Sequence, residues 1–77
     1  MLEQNIKQYH IPTITVHLQP EEKKIEMYNP KTAKQLLNKL GLREESAIII
    51  RNNKLLTPDV RIYDKDDILV RKVTSSG

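Results

Sequence analysis

The chain contains no cysteine, tryptophan or phenylalanine, and its 77 residues include only two glycines, Gly41 and Gly77. Without a thiol there can be no thiol nucleophile, thiolate ligand or disulfide exchange, and neither a disulfide nor a zinc site can staple the fold. Two separated glycines leave no Gly-rich loop to cradle a phosphate. Catalysis by this chain is not expected, and no bound cofactor is expected. His10 and His17 stand alone, so no metal role is assigned to them. Tyr9, Tyr28 and Tyr63 lie far apart and form no stacking platform, so direct contact with nucleic acid is not expected. No segment approaches the ~20 apolar residues of a membrane span, and Met1 to Gln8 is polar and mixed in charge rather than a leader. The expectation is a cytoplasmic protein, monomeric by itself.

What is present is one small, regular domain's worth of pattern. Thirteen basic and ten acidic residues give a net charge of +3, and the charges alternate instead of clustering, as on a solvated surface. Residues 1–12 carry no steady period and read as an N-terminal arm, with Pro12 forcing its predecessor toward extended backbone. From Thr13 the alternation is clean: Ile14, Val16 and Leu18 share one face, and Thr13, Thr15 and His17 the other. Gln19-Pro20-Glu21-Glu22 supplies a turn, and Lys23 to Tyr28 alternates again with Ile25 and Met27 apolar, which makes a hairpin.

A helix follows. Asn29 is placed as its N-cap and Pro30 at its first position, where a missing N–H costs nothing. Ala33, Leu36, Leu37 and Leu40 form one apolar stripe, and Gly41 supplies a left-handed C-terminal residue against which Leu42 packs back. Ala47-Ile48-Ile49-Ile50-Arg51 is a β-branched run too short for a helix, hence a central strand. Asn52-Asn53 suits the positive φ of a tight hairpin, returning through Lys54-Leu55-Leu56. Val60, Ile62 and Tyr63 are read as a plug for the sheet edge. Asp64-Lys65-Asp66-Asp67 is an acidic turn; no following glycine and glutamate complete a calcium loop.

The final stretch, Asp67 to Gly77, begins as a strand, with Ile68 and Val70 on one side and Leu69 and Arg71 on the other. It then loses every large apolar residue through Thr74, Ser75 and Ser76 to Gly77. Such an end is either loose chain or a slim peptide that another protein threads into its active site to reach the α-carboxylate. The order is therefore β-β-α-β-β, an α+β domain spanning 13–73 between an arm (1–12) and a tail (74–77). A single helix covers one sheet face, and the last strand sits centrally because Ile68 and Val70 must meet the helix stripe.

This order, the segment Glu45 to Leu56, the acidic Asp64-Lys65-Asp66-Asp67-Ile68 and the small-residue ending resemble the ubiquitin-like sulfur carriers of the ThiS/MoaD type, within which the bacterial carrier for tRNA 2-thiouridine is the nearest in pattern. The resemblance covers Thr13 to Gly77 and implies a β-grasp fold: a mixed sheet with one helix on one face. It departs from the family's usual Gly-Gly ending at Ser76, and from the glycine often found in the acidic turn at Lys65. By resemblance, an E1-like enzyme spends ATP to adenylate Gly77, and a persulfide donor converts it to a thiocarboxylate. A sulfurtransferase or biosynthetic enzyme of tRNA thiolation, thiamine or molybdopterin synthesis then takes the sulfur. Thr74, Ser75 and Ser76 form the slim arm. The helix-free face, by alternation, presents Thr13, Thr15, His17, Ile49, Leu69 and Arg71 as a partner surface. Two other readings stay open: a modifier conjugated to proteins through Gly77, and a non-covalent β-grasp module with an inert C-terminus.

Overall fold

A computed structural model describes residues 10–73. The two N-terminal alternating runs form an antiparallel hairpin, β1 (Thr13–Gln19) and β2 (Lys23–Tyr28), in register from Thr13 opposite Tyr28 to Leu18 opposite Lys23. Ile14, Val16 and Leu18 are buried, and Ile25 and Met27 pack against them from β2. Period-two burial on one face of each strand is what a half-covered sheet requires.

The helix α1 (Ala33–Leu40) starts later than the sequence reading puts it. Asn29 is not the N-cap, and Pro30 is not its first residue. The Asn29 N–H donates to Pro12 O at 3.0 Å, which keeps this stretch extended alongside the first strand, and Pro30 is buried. Thr32 caps instead: its Oγ1 accepts from Gln35 N at 3.3 Å, while Gln35 Oε1 reaches back to accept from Lys31 N at 3.0 Å. That reciprocal exchange satisfies two backbone donors that helix geometry leaves free. At the other end Gly41 adopts φ 73°, and its N–H and that of Leu42 close on carbonyls of the last turn. This is the left-handed ending read from the sequence.

After a short 3₁₀ turn (Glu44–Ser46) come β3 (Ala47–Arg51), β4 (Lys54–Leu56) and β5 (Asp67–Lys72). Asn52 and Asn53 have φ 55° and 64°, so a two-residue turn sets Arg51 opposite Lys54 and Ile50 opposite Leu55. The sheet order is β2-β1-β5-β3-β4, with β5 parallel to β1 and antiparallel to β3. The last strand therefore occupies the centre, and one helix lies on one face of a five-stranded mixed sheet: the β-grasp arrangement. The core comprises Ile14, Val16, Leu18, Ala33, Leu36, Leu37, Ala47, Ile49, Ile62, Ile68 and Val70.

Of the expected edge plug, only Ile62 goes inward, at 1% exposure, and Tyr63 is exposed. Both sit in extended chain, where successive side chains point opposite ways. The N–H of Ile62 donates to Lys31 O, so Ile62 closes the core beneath the start of the helix rather than at a sheet edge.

Leu37 is buried against the sheet, whereas Lys34, beside the apolar stripe, is exposed and reaches toward Glu44. Leu37→Ala should lower unfolding free energy by about 2–5 kcal/mol and Lys34→Ala by less than about 0.5 kcal/mol. Paired denaturant titrations measure both, and equal losses would contradict the packing of this helix.

Candidate docking face and the base of the tail

The face of the sheet turned away from the helix is built by register. His17 pairs laterally with Lys24 on one side and Leu69 on the other; Leu69 pairs with Ile50, and Ile50 with Leu55. Laterally paired residues share a face, so one row crosses all five strands in the order Lys24, His17, Leu69, Ile50, Leu55. The adjoining row carries Gln19, Arg71 and Ile48. The face is thus divided. Its β1–β2 half is polar, and its β5–β3–β4 half is apolar, with Ile48, Ile50 and Leu69 half-buried and Leu55 67% exposed. Val73, just beyond β5, is 41% exposed and extends the apolar half toward the tail.

Of the residues assigned to this face from the sequence, Thr13, Thr15, His17, Leu69 and Arg71 lie on it. Ile49 does not. It is 3% exposed, opposite Val70 of β5 and Leu56 of β4, and belongs to the core. The apolar run Ala47–Ile50 carries no polar residue to mark its outer side, and Arg51, which has Ile49's parity, makes that parity look solvated. Arg51 instead sits at the strand end, where its Nη1 donates to Asp66 Oδ2 at 2.7 Å and Arg61 O at 3.0 Å. Ile48, Ile50 and Leu55 are the residues that the sequence reading missed. The two-residue Asn52-Asn53 turn was the usable signal, since it ties Leu55 to the face of Ile50.

The loop before β5 holds this central strand in place. Asp66 accepts from Arg51 and from Tyr63 N, and its carbonyl accepts from Thr15 N at 3.0 Å. Lys65, where the resembled family often carries glycine, has φ 69°, and its N–H donates to Thr13 O at 2.7 Å. Asp64 Oδ1 accepts from Thr13 N at 2.9 Å, while Oδ2 lies 2.5 Å from His10 Nε2. The acidic turn uses its carboxylates on neighbouring donors. Among the described residues, no group of three or more metal-ligating side chains comes together.

Beyond β5 the Val73 N–H donates to Ser46 O at 3.0 Å, so the chain is held beside the 3₁₀ turn where the tail begins. Lys72 is paired with Glu21 from the β1–β2 turn, and His17 Nε2 lies 2.7 Å from Asp67 Oδ1 at the other end of β5. Gly77 and the arm residues Thr74, Ser75 and Ser76 lie outside the described residues. No described helix is long and apolar enough to cross a membrane.

No family model matches the chain. It is 29% identical over 58 residues, 75% of its own length and 89% of the relative's, to the sulfur carrier protein TtuB of Thermus thermophilus. The match supports the likeness to ThiS/MoaD-type carriers drawn from the residues, and the fold agrees with it.

The His10 hydrogen bond, followed by that of the Thr13 N–H, holds the Asp64 carboxyl below the usual aspartate range. A carboxyl depressed in the folded state stabilises above its unfolded value, and the benefit fades as pH falls through the folded value. Acid titrations of stability should therefore fall less steeply below about pH 4 for Asp64→Asn than for the wild type. Identical acid limbs would show that the contact does not persist in solution.

Proposed function

We propose that this chain is a ubiquitin-like sulfur carrier: its helix-free face docks an E1-like activating enzyme, and the tail delivers Gly77 to that enzyme's active site. The observation that carries the reading is the continuity of the apolar half-face with the tail. Leu69 lies on β5, Ile48 and Ile50 on its neighbour β3 and Leu55 on β4 one strand further, and β5 leads through Val73 into Thr74–Gly77. Similarity to a sulfur carrier protein supports the same reading.

The chemistry follows from the needs of a carboxylate. As an anion it is a poor electrophile, so the Gly77 carboxylate first attacks the α-phosphorus of ATP and pyrophosphate leaves. The terminal sulfur of a persulfide donor then attacks the acyl carbon and AMP leaves. Cleavage of the donor's S–S bond by a thiol leaves the sulfur on Gly77 as a thiocarboxylate. Every catalytic group and the ATP belong to the partners; this chain contributes a docking surface and a thin, reactive end. Its lack of cysteine fits a carrier whose sulfur rides on the terminal carbonyl.

Residues 74–77 can span at most about 13–14 Å when fully extended. The activating centre must therefore lie within that reach of the edge of the docked face. Apolar residues flanked by Arg71 and His17 suit such an interface, with a desolvated centre and a polar rim. The sulfur then passes to a sulfurtransferase or biosynthetic enzyme of a thiolation pathway, of which tRNA thiolation is the proposed one.

One substitution and one deletion separate docking from presentation. Leu69→Arg should weaken activation by the E1-like enzyme of the same source through KM while the melting transition stays nearly unchanged, because this side chain points away from the helix. Deleting Gly77 withdraws the carboxylate by about 3.3–3.6 Å, and misplacement of even ~1 Å costs on the order of 10²-fold, so ATP–pyrophosphate exchange should collapse with stability untouched. Wild-type protein that supports no exchange would favour a non-covalent module. Exchange that leads to isopeptide conjugates without a thiocarboxylate would favour a modifier.

A further inference from the structure

The two ends of the sheet differ. β4 is three residues long, whereas β2 offers six, and among the described residues no strand pairs with its outer side. Alternate residues of β2 therefore direct peptide N–H and C=O groups outward, a ready template for another strand. A groove of about 380 Å³, lined by Thr13, Glu26, Met27, Tyr28 and Lys39, opens beside its C-terminal half. Tyr28 is 68% exposed there.

The side chains specify what can pair. Lys24 and Glu26 are exposed on the helix-free face of β2, and Ile25 between them points to the helix side. An incoming antiparallel strand satisfies both charges if it places an acid opposite Lys24, an apolar residue opposite Ile25 and a base opposite Glu26. Read from its own N-terminus, that complement is base, apolar, acid. The sequence Lys24-Ile25-Glu26 is itself base, apolar, acid. Lysines on an edge ordinarily repel unrelated strands, but here each meets a glutamate when the approaching strand is the same one.

The geometry points to a second copy of this chain as the occupant of the β2 edge, paired antiparallel about Ile25 on a two-fold axis. Ile25 faces Ile25, Lys24 of each copy faces Glu26 of the other, and Met27 faces Lys23, whose methylene stem lies along the thioether beside the groove. Paired residues keep the same parity in this register, so both helices fall on one side of a continuous ten-strand sheet, five from each copy. The apolar half-face begins, and the chain leaves the sheet, at β5, two strands from this edge, and both stay open. The inference is independent of the carrier reading, and the expectation of a monomer alone took no account of this edge. An interface of one strand pair is small, so the association is weak and visible only at high concentration.

Sedimentation across roughly micromolar to millimolar protein tests it by charge exchange. Wild type should show a reversible monomer–dimer equilibrium. Lys24→Glu places acid against acid at both positions, Glu26→Lys places base against base, and each should weaken self-association by on the order of tenfold or more. Mixing the two variants should restore a dimer, because Lys24→Glu supplies two acids to the two bases of Glu26→Lys, and the double variant should self-associate again. Melting curves confirm that the variants are folded. A wild type that stays monomeric at about millimolar concentration overturns the inference. So do single variants that dimerise like wild type, or a mixture that stays monomeric although wild type pairs.

Discussion

The structure depends on the insertion of the last strand between two hairpins. β5 is parallel to β1 through five paired positions and antiparallel to β3 through four. Without it, the β1–β2 and β3–β4 hairpins would share no backbone hydrogen bond, and Ile68 and Val70, both fully buried, would be missing from the middle of the core. The pairing is non-local, so its loop-closure cost must be met by burial and by the contacts that align the strand beforehand. Asp64, Lys65 and Asp66 bond to Thr13, Thr15, Arg51 and Tyr63, which tie the approach to β5 to both hairpins.

The same constraint links fold to function. The end of the central strand is fixed by Val73 on Ser46 and by Lys72 on Glu21. Under the proposed function, rigid placement limits where Gly77 can reach, and restricted reach is what a presented carboxylate needs. Parity does the rest. With Ile68 and Val70 in the core, Leu69 and Arg71 must face out, so the proposed docking surface lies on the strand that leads into residues 74–77.

Much of this was legible from residue order. Alternation gave β1 and β2, and the stripe Ala33, Leu36, Leu37, Leu40 with Gly41 gave the helix face and its end. Asn52-Asn53 gave the second hairpin, and Ile68 with Val70 gave the central place of β5. Other local features are not legible in this way, because competing signals overlap in the residue order. Asn29-Pro30 has good capping chemistry, yet Asn29 is held by Pro12 O and Thr32 caps one turn later. The parity of Ile49 is not set by the sequence, because an unbroken apolar run has no polar residue to mark its outer side. Register with Val70 decides it, and register is a tertiary property. The apolar half-face was equally hidden, since Ile48, Ile50, Leu55 and Leu69 come from three strands that only pairing brings together.

The central claim is that sulfur is carried on the C-terminal residue of this chain. Intact-mass measurement of the protein isolated from cells of its own source, followed by fragmentation of the C-terminal peptide, tests this most directly. The account predicts a population in which one oxygen of the Gly77 carboxylate is replaced by sulfur. It further predicts that this population disappears when the cognate E1-like enzyme is deleted. A plain carboxylate in every molecule, with the activating enzyme present and the sulfur-accepting step blocked, would contradict it.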